Sequence, residues 1–334
     1  MQKKTREAKL MFGKAKESNA GWDPLVHFCI YELGYSTLYL REYDESRKHW
    51  EVLARDNDWS KAYYTYMRAI CEQKVGMEKE AQASFAEIPG LLTKSKKING
   101  RQVPIDRFVA RKTKEYGPGS GRRPALQALE IAYVWNGFSQ TPRDVLQLDL
   151  NEALEWQRNH TDGDHDEQAV VNLIVGALHS QLHNDAEAEA CFAKVEAGRK
   201  KVSRETWTCP YARYEMGMLW LRVDGGEASN SERARKKLKH AAHNKGDFNH
   251  DLQLHLRVHL AMYELGGDAD TMREQLVAAG VAAEAEAKAA VEAAATGSRG
   301  GSGGGGDGAT SDGGGGGGGA AKSSKPVVRK VVEL

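Results

Sequence analysis

What this chain lacks narrows its function more than what it contains. Outside a Gly-rich tail, where glycine matches are compositional, there is no Gly-x-Ser-x-Gly nucleophile elbow and no His-Glu-x-x-His zinc motif. The run Gly117-Pro-Gly-Ser-Gly-Arg-Arg has glycines but no Gly-Lys-Ser/Thr, and no strand pattern precedes it. It reads as a connector, not a phosphate cradle. Cysteine is scarce: Cys29, Cys71, Cys191 and Cys209 form no Cys-x-x-Cys. That excludes a disulfide framework or a zinc ribbon and points to reduced thiols in a reducing compartment. Charge of one sign is missing too. The formal net charge is +1, so whole-molecule attraction to nucleic acid is not expected. No apolar run approaches the ~18 residues of a membrane span. The start, Met1-Gln-Lys-Lys-Thr-Arg-Glu, has no apolar core of a secretory signal.

What is present is a spaced pattern of small and large residues. Leu33-Gly34 is followed by Ser46 and Trp50, and Ala69 by Ala81 and Phe85. Val175-Gly176 is followed by Ala188 and Phe192, and Met216-Gly217 by Ala234 and Leu238. Ser46 and Ala81 are 35 positions apart, close to the ~34-residue tetratricopeptide period. The reason is packing. A small residue on the first helix of a pair lets the second approach, and the large residue four beyond the second small one fills the seam. The chain is therefore expected to be all-α, a tetratricopeptide-like superhelix of stacked helix pairs. The alternative is an irregular helical bundle with chance matches.

The expected organisation follows. Residues 1–21 hold a short polar helix, and 22–87 hold the first two pairs. Residues 88–168 form a non-repeat bridge, with Leu91–Gly121 basic and loop-rich. Within it one helix runs from Pro124 to Asn136 and another starts at Thr141-Pro142. His160–Glu167 is a polar loop. Further pairs and a closing pair, Leu252–Leu265 with Asp268–Gly280, occupy 169–280. Residues 281–295 are an Ala/Glu-rich helix with little to bury. Residues 296–334 are a Gly-dominated, disordered tail.

Several blocks are more distinctive than the repeat spacing. They are Trp22…His27-Phe-Cys-Ile-Tyr-Glu-Leu, Trp59-Ser-Lys-Ala, Ile88-Pro-Gly-Leu, Tyr133-Val-Trp-Asn-Gly-Phe and Leu254-His-Leu-Arg-Val-His. Together, over about Trp22 to Leu265, they resemble the tetratricopeptide repeat protein 39 family, which includes the yeast inclusion-body clearance proteins. Members of that family are usually longer, with a further N-terminal helical half, so the likeness is to their C-terminal half. The resemblance implies a non-enzymatic adaptor linked to clearance of misfolded-protein inclusions and to lipid handling. The implied location is the cytoplasm, with the nucleus or an organelle surface as alternatives. It carries no catalytic residues and no cofactor.

Each candidate site also has a plainer role open to it. Lys94, Lys96, Lys97, Arg101, Arg107, Arg111, Lys112, Lys114, Arg122 and Arg123 make a basic 94–123 segment. It could meet acidic protein or anionic lipid, or serve as a solvated loop with structural ion pairs. Stacking aromatics are not interleaved there, which argues against nucleic acid. His255/His259, His179/His183 and His160/His165 have metal-like spacings without a third ligand, so no metal site is expected. Cys209-Pro opens a helix, where the dipole could lower the thiol pKa, but no histidine base pairs with it. In a tetratricopeptide superhelix the first helices line the concave face. Tyr31, Tyr35 and Tyr39, Tyr63 and Tyr66, and Tyr211 and Tyr214 fall there. The expected partner contacts are Tyr35, Tyr39, Tyr66 and Tyr214, with Arg111 and Lys112 beside them; the plainer role is a groove filled by its own rings. The expected partners are proteins in the concave groove, with anionic lipid second and neither nucleic acid nor a small-molecule substrate. An enzyme with an unrecognised pocket is the other class.

Overall fold

The computed structural model describes residues 4–95, 97–98, 101–117, 126–160, 164–223, 228–243 and 250–265. Among them are fourteen helices and one antiparallel pair of two-residue strands. The helices expected over 268–280 and 281–295, the tail 296–334 and Pro124 lie outside the described residues. Helix α1 (Thr5–Ser18) packs on α2 (Asp23–Tyr39). Helix α2 pairs with α3 (Tyr43–Asp56), and α4 (Lys61–Lys74) with α5 (Glu78–Thr93). After a bridging segment come the pairs α10 (His165–Leu182) with α11 (Asp185–Gly198) and α12 (Thr208–Val223) with α13 (Ala228–Ala242). Helix α14 (Asp251–Glu264) packs on that last pair. The chain thus has the all-α helical-repeat architecture that its spacing predicts.

The first three pairs are built around one repeated turn. Arg41, Gly76 and His183 hold left-handed backbone at φ 63°, 78° and 64°. The next residue in each case donates its N–H back across the turn: Glu42 to Thr37, Met77 to Glu72, and Asn184 to His179, all at 2.9 Å. These are Schellman closures, which satisfy carbonyls that a helix end would otherwise leave unpaired. Glycine adopts that φ without strain, whereas Arg41 and His183 do so at a cost of about 1 kcal/mol or more. Each turn stands five residues before Ser46, Ala81 or Ala188 and nine before Trp50, Phe85 or Phe192.

The seams show why the small residues are needed. A Cβ on Gly34 would lie 2.7 Å from the Trp50 ring, and one on Gly176 would lie 2.6 Å from Phe192. On Gly217 it would lie 2.9 Å from Leu238. All three large side chains are fully buried. Trp50 Nε1 donates to Ser46 Oγ at 3.0 Å, and Ser46 Oγ donates to the Gly34 carbonyl at 2.8 Å. The indole therefore enters the seam with its polar atom satisfied.

The bridge differs in detail from its expected outline. Pro89 does not end the second pair: α5 continues to Thr93 and buries Ile88 and Leu92, one turn apart, on its inner face. The described residues between 91 and 117 are less loop-like than expected. They include β1 (Lys97–Ile98) paired antiparallel with β2 (Arg101–Gln102), then α6 (Pro104–Tyr116), with Pro in its first turn. Helix α7 spans Gln127–Val134, with Leu126 before it left-handed at φ 51° and Trp135 and Asn136 beyond its end. Helices α8 (Gly137–Gln140) and α9 (Arg143–Asn159) complete the bridge. The polar loop expected at His160–Glu167 is shorter, since Asp164 caps α10 by accepting from the Glu167 N–H at 2.9 Å.

Helix α7 decides what the inner surface becomes. It packs against α2, α4 and α10, the first helices of three pairs, and every residue from Gln127 to Val134 is buried. The bridge thus returns into the concave side of its own superhelix. One continuous apolar core runs from Ile30 to Ala261.

Candidate functional site

The inner face is where the sequence placed the partner contacts, and the structure corrects their role. Tyr35, Tyr39, Tyr66 and Lys112 are buried, while Tyr214 and Arg111 are half-buried. The tyrosines cover their own chain. Tyr66 lies edge-on to Phe85 and Phe108, with centroids 6.0 and 5.7 Å away. A Cβ on Gly137 would come within 2.4 Å of the Tyr39 ring, so the α8 backbone rests on that ring. Tyr31 donates to the Tyr35 hydroxyl at 3.5 Å, and the Tyr35 and Tyr63 hydroxyls bond to each other. Trp135 Nε1 from the bridge donates to Tyr63 at 2.9 Å. Burial pushes the Tyr31 hydroxyl up to about 12 and Tyr35, Tyr39 and Tyr63 well up. They act as neutral phenols.

Below this aromatic layer lies a buried ion triad. Lys112 Nζ sits 2.7 Å from Glu130 Oε1 and 2.6 Å from Glu205 Oε1. Trp207 Nε1 donates to the other Glu205 oxygen at 2.6 Å. The triad ties α6 to α7 and to the loop before α12. Burial pushes Lys112 toward neutrality, but the two carboxylates outweigh it and hold its pKa above the ordinary value. Burial also raises Glu130 to about 7, with Lys112 opposing. Glu205, a second carboxylate on the same ammonium, adds to the effect of burial. Lys112 is thus a structural cation and is lost to the surface basic patch. Arg111 and Lys114 remain partly or fully exposed.

A second charge closes α7. Arg257 Nη2 donates to the Tyr133 and Val134 carbonyls at 3.0 and 2.8 Å, and its guanidinium lies over Tyr133 and Tyr211. A cation at a helix C-terminus satisfies free carbonyls and favours the dipole. The Tyr133 hydroxyl donates to Glu215 at 2.9 Å. His250 is packed among Phe108, Trp135 and Trp207. Its Nε2 is buried with no hydrogen-bond partner among the described residues. Burial drives its pKa well below the ordinary value, with Lys112, Arg257 and Arg111 adding to the effect. These groups could be mistaken for acid–base machinery, but they are turned into the core and hold α7 in place.

The remaining candidates have local roles. His255 lies 3.1 Å from the Ala242 carbonyl, His179 3.1 Å from Asn184 Nδ2, and His160 stacks on Trp156 at 4.2 Å. Among the described residues no three His, Cys, Asp or Glu side chains cluster to hold a metal ion. Cys209 is not activated by its position in the first turn of α12: burial raises its thiol pKa, as it does for Cys29, Cys71 and Cys191. Among the described residues no helix is long and apolar enough to cross a membrane.

The role of α7 could not be found by searching for motifs. Its one sequence signal is a run of eight residues, Gln127 to Val134, six of them apolar or aromatic. Gln127 and Glu130, at i and i+3, read as a solvent-facing side, and only the ion pair with Lys112 shows why that side is buried.

Comparison with known proteins adds one match. The family model described as Iml2/Tetratricopeptide repeat protein 39 matches residues 1–182, more than half of the chain. That range contains the first two pairs, the described bridge and α10. No solved structure matches.

Proposed function

The chain belongs to the Iml2/tetratricopeptide repeat protein 39 family, and from that premise we propose that it is a non-enzymatic helical-repeat adaptor that holds protein partners. The observation that carries this reading is the occupied inner face. Lys112, Glu130 and Glu205 are buried there and engaged with one another and with Trp207, and the half-buried Glu215 is engaged by Tyr133. A scaffold with its titratable groups turned inward offers surface to partners rather than a reaction centre.

With α7 in the groove, partner contact moves to the rim. Of the six residues expected to make it, Arg111 and Tyr214 keep solvent-facing surface. Arg111 is close enough to His250 to affect its protonation, and Tyr214 is close enough to Arg257 to do the same. Both therefore border the buried network. The finer reading is that the partners belong to the clearance of misfolded-protein inclusions or to lipid-linked regulation, from a cytoplasmic, nuclear or organelle-surface location. Family likeness is what supports it. A direct anionic-lipid contact through 94–123 is the weaker form, since Lys112 is withdrawn into the ion triad.

The test is affinity purification of the full chain from its native host beside an Arg111→Glu/Tyr214→Ala variant. A rim contact predicts an unchanged melting curve and lost partners. An unchanged curve with every partner retained removes this surface from the reading.

A further inference from the structure

The loop between α11 and α12 is pinned by one carboxylate. Asp166, buried in the first turn of α10, accepts the backbone N–H groups of Ser203, Arg204 and Glu205 on Oδ1 at 3.0, 2.7 and 2.8 Å. Its Oδ2 accepts the Ser203 hydroxyl at 3.2 Å and lies 3.2 Å from the Arg204 guanidinium. The clamp ends at Glu205, the carboxylate that meets Lys112 in the buried triad. The Glu205 carbonyl also accepts the Thr208 hydroxyl at 2.7 Å at the start of α12.

The outer side of this loop faces solvent. Arg199, Lys200 and Lys201 are exposed, and they stand four, three and two residues before Ser203, which is itself exposed. Consecutive cations just ahead of an accessible hydroxyl are the charge pattern that a kinase with an acidic substrate groove reads. Thr113, which follows Arg111 and Lys112, is by contrast buried in α6.

We propose that Ser203 is a phosphorylation site for such a kinase and that its phosphate opens the Asp166 clamp. In the transfer Ser203 Oγ forms a bond to the γ-phosphorus of a nucleoside triphosphate as the bond from that phosphorus to the β,γ-bridging oxygen breaks. The hydroxyl proton passes to the base of the kinase, and the nucleoside diphosphate leaves. The serine oxygen then has no proton to donate to Asp166. A charge of about −1.5 to −2 arrives instead beside a buried carboxylate, where like charges repel. Arg204, engaged with Asp164 and Asp166, is the cation next to the phosphate and turns toward it. Glu205, two residues on, loses its backbone anchor, so a surface modification reaches the buried triad.

The full chain incubated with a purified basophilic kinase, magnesium and γ-labelled ATP tests the site. Phosphopeptide mapping should place the label on Ser203, and Lys200→Glu/Lys201→Glu should slow its incorporation about tenfold or more. Label absent from Ser203, or entering it only when the chain is unfolded in urea, would overturn the proposal. Phosphoserine installed at position 203 during translation tests the clamp without a kinase. Amides of 203–208 and of α7 should then exchange about tenfold faster or more, while those of α2–α5 stay unchanged. Ser203→Ala removes one hydrogen bond without adding charge and should change exchange far less. In an Asp166→Asn background the repulsion is gone, and the added effect of the phosphate should shrink. Unchanged exchange in the phosphorylated protein, or an equal change in Ser203→Ala, would show that the charge opens nothing and that the proposal is wrong.

Discussion

The indole N–H of Trp135 reaches the hydroxyl of Tyr63 at 2.9 Å, joining the bridge to the first helix of the second repeat pair. Through Tyr63 it extends the phenol chain of Tyr35 and Tyr31. Trp135 is itself half-buried, so its truncation should cost less than that of a fully buried ring. Trp135→Ala is expected to destabilise by about 2–3 kcal/mol, below the usual large-to-small range. A double-mutant cycle with Tyr63→Phe should give a coupling of about 1 kcal/mol in urea titrations. Strictly additive losses would mean that the hydrogen bond contributes nothing.

The tyrosines of the inner face should behave as core. Tyr66 is almost completely buried between Phe85 and Phe108. Tyr66→Ala is expected to cost about 3–5 kcal/mol, with Tyr35→Ala at the lower end. Denaturant midpoints are the measurement. A recognition role would instead leave the midpoint in place and remove partners.

Glycine positions should separate cleanly by environment. Gly34→Ala and Gly176→Ala push a methyl to 2.7 and 2.6 Å from fully buried rings, and overpacking of that kind costs about 1–3 kcal/mol. Gly13 lies inside α1 with nothing within 4 Å of its Cβ position. Gly13→Ala should therefore gain up to about 1 kcal/mol from helix propensity. Thermal melts of the three variants make the comparison, and equal behaviour would contradict the seam packing.

Breaking the ion triad should be costly. Lys112→Ala leaves Glu130 and Glu205 buried without their cation, and removal of one buried partner typically costs about 3–5 kcal/mol. Lys112→Met with Glu130→Leu and Glu205→Gln should lose far less, because no charge is stranded. Chemical denaturation of both variants checks this, and a mild Lys112→Ala would show that water enters the site.

Acid should destabilise the fold through His250. Its folded pKa lies well below the ordinary 6.5, so the unfolded chain binds the extra proton and stability falls as pH drops below about 6.5. His49, lowered to about 4 chiefly by burial, acts in the same direction. Glu130 and Asp149, raised to about 7 and about 6 mainly by burial, act oppositely: each binds its proton more tightly when folded and loses stability as pH rises. Comparing wild type with His250→Asn isolates one sign, since asparagine tolerates the left-handed backbone at this position. The stability difference between pH 7 and pH 5.5 should move toward acid resistance in the variant. The same difference in both proteins would mean that His250 is protonated in the fold.

The sequence alone determined the repeat pairs, because their defining contacts are local. Gly34 with Trp50, Gly176 with Phe192 and Gly217 with Leu238 meet inside single helical hairpins, so chain spacing dictates the encounter. The repeated left-handed turns at Arg41, Gly76 and His183 follow from the same local geometry. Residue type also revealed a tyrosine-rich first-helix face, but not what covers it, since a tyrosine ring serves a partner surface or a core equally well. The tertiary structure decided that question. Helix α7 meets α2, α4 and α10 through contacts between residues far apart in the chain, and no periodic pattern encodes such an encounter. Lys112, Glu130 and Glu205 show the same limit. Each reads as a surface charge in the sequence, and they become buried partners only when three separate elements converge around 2.6–2.7 Å ion pairs.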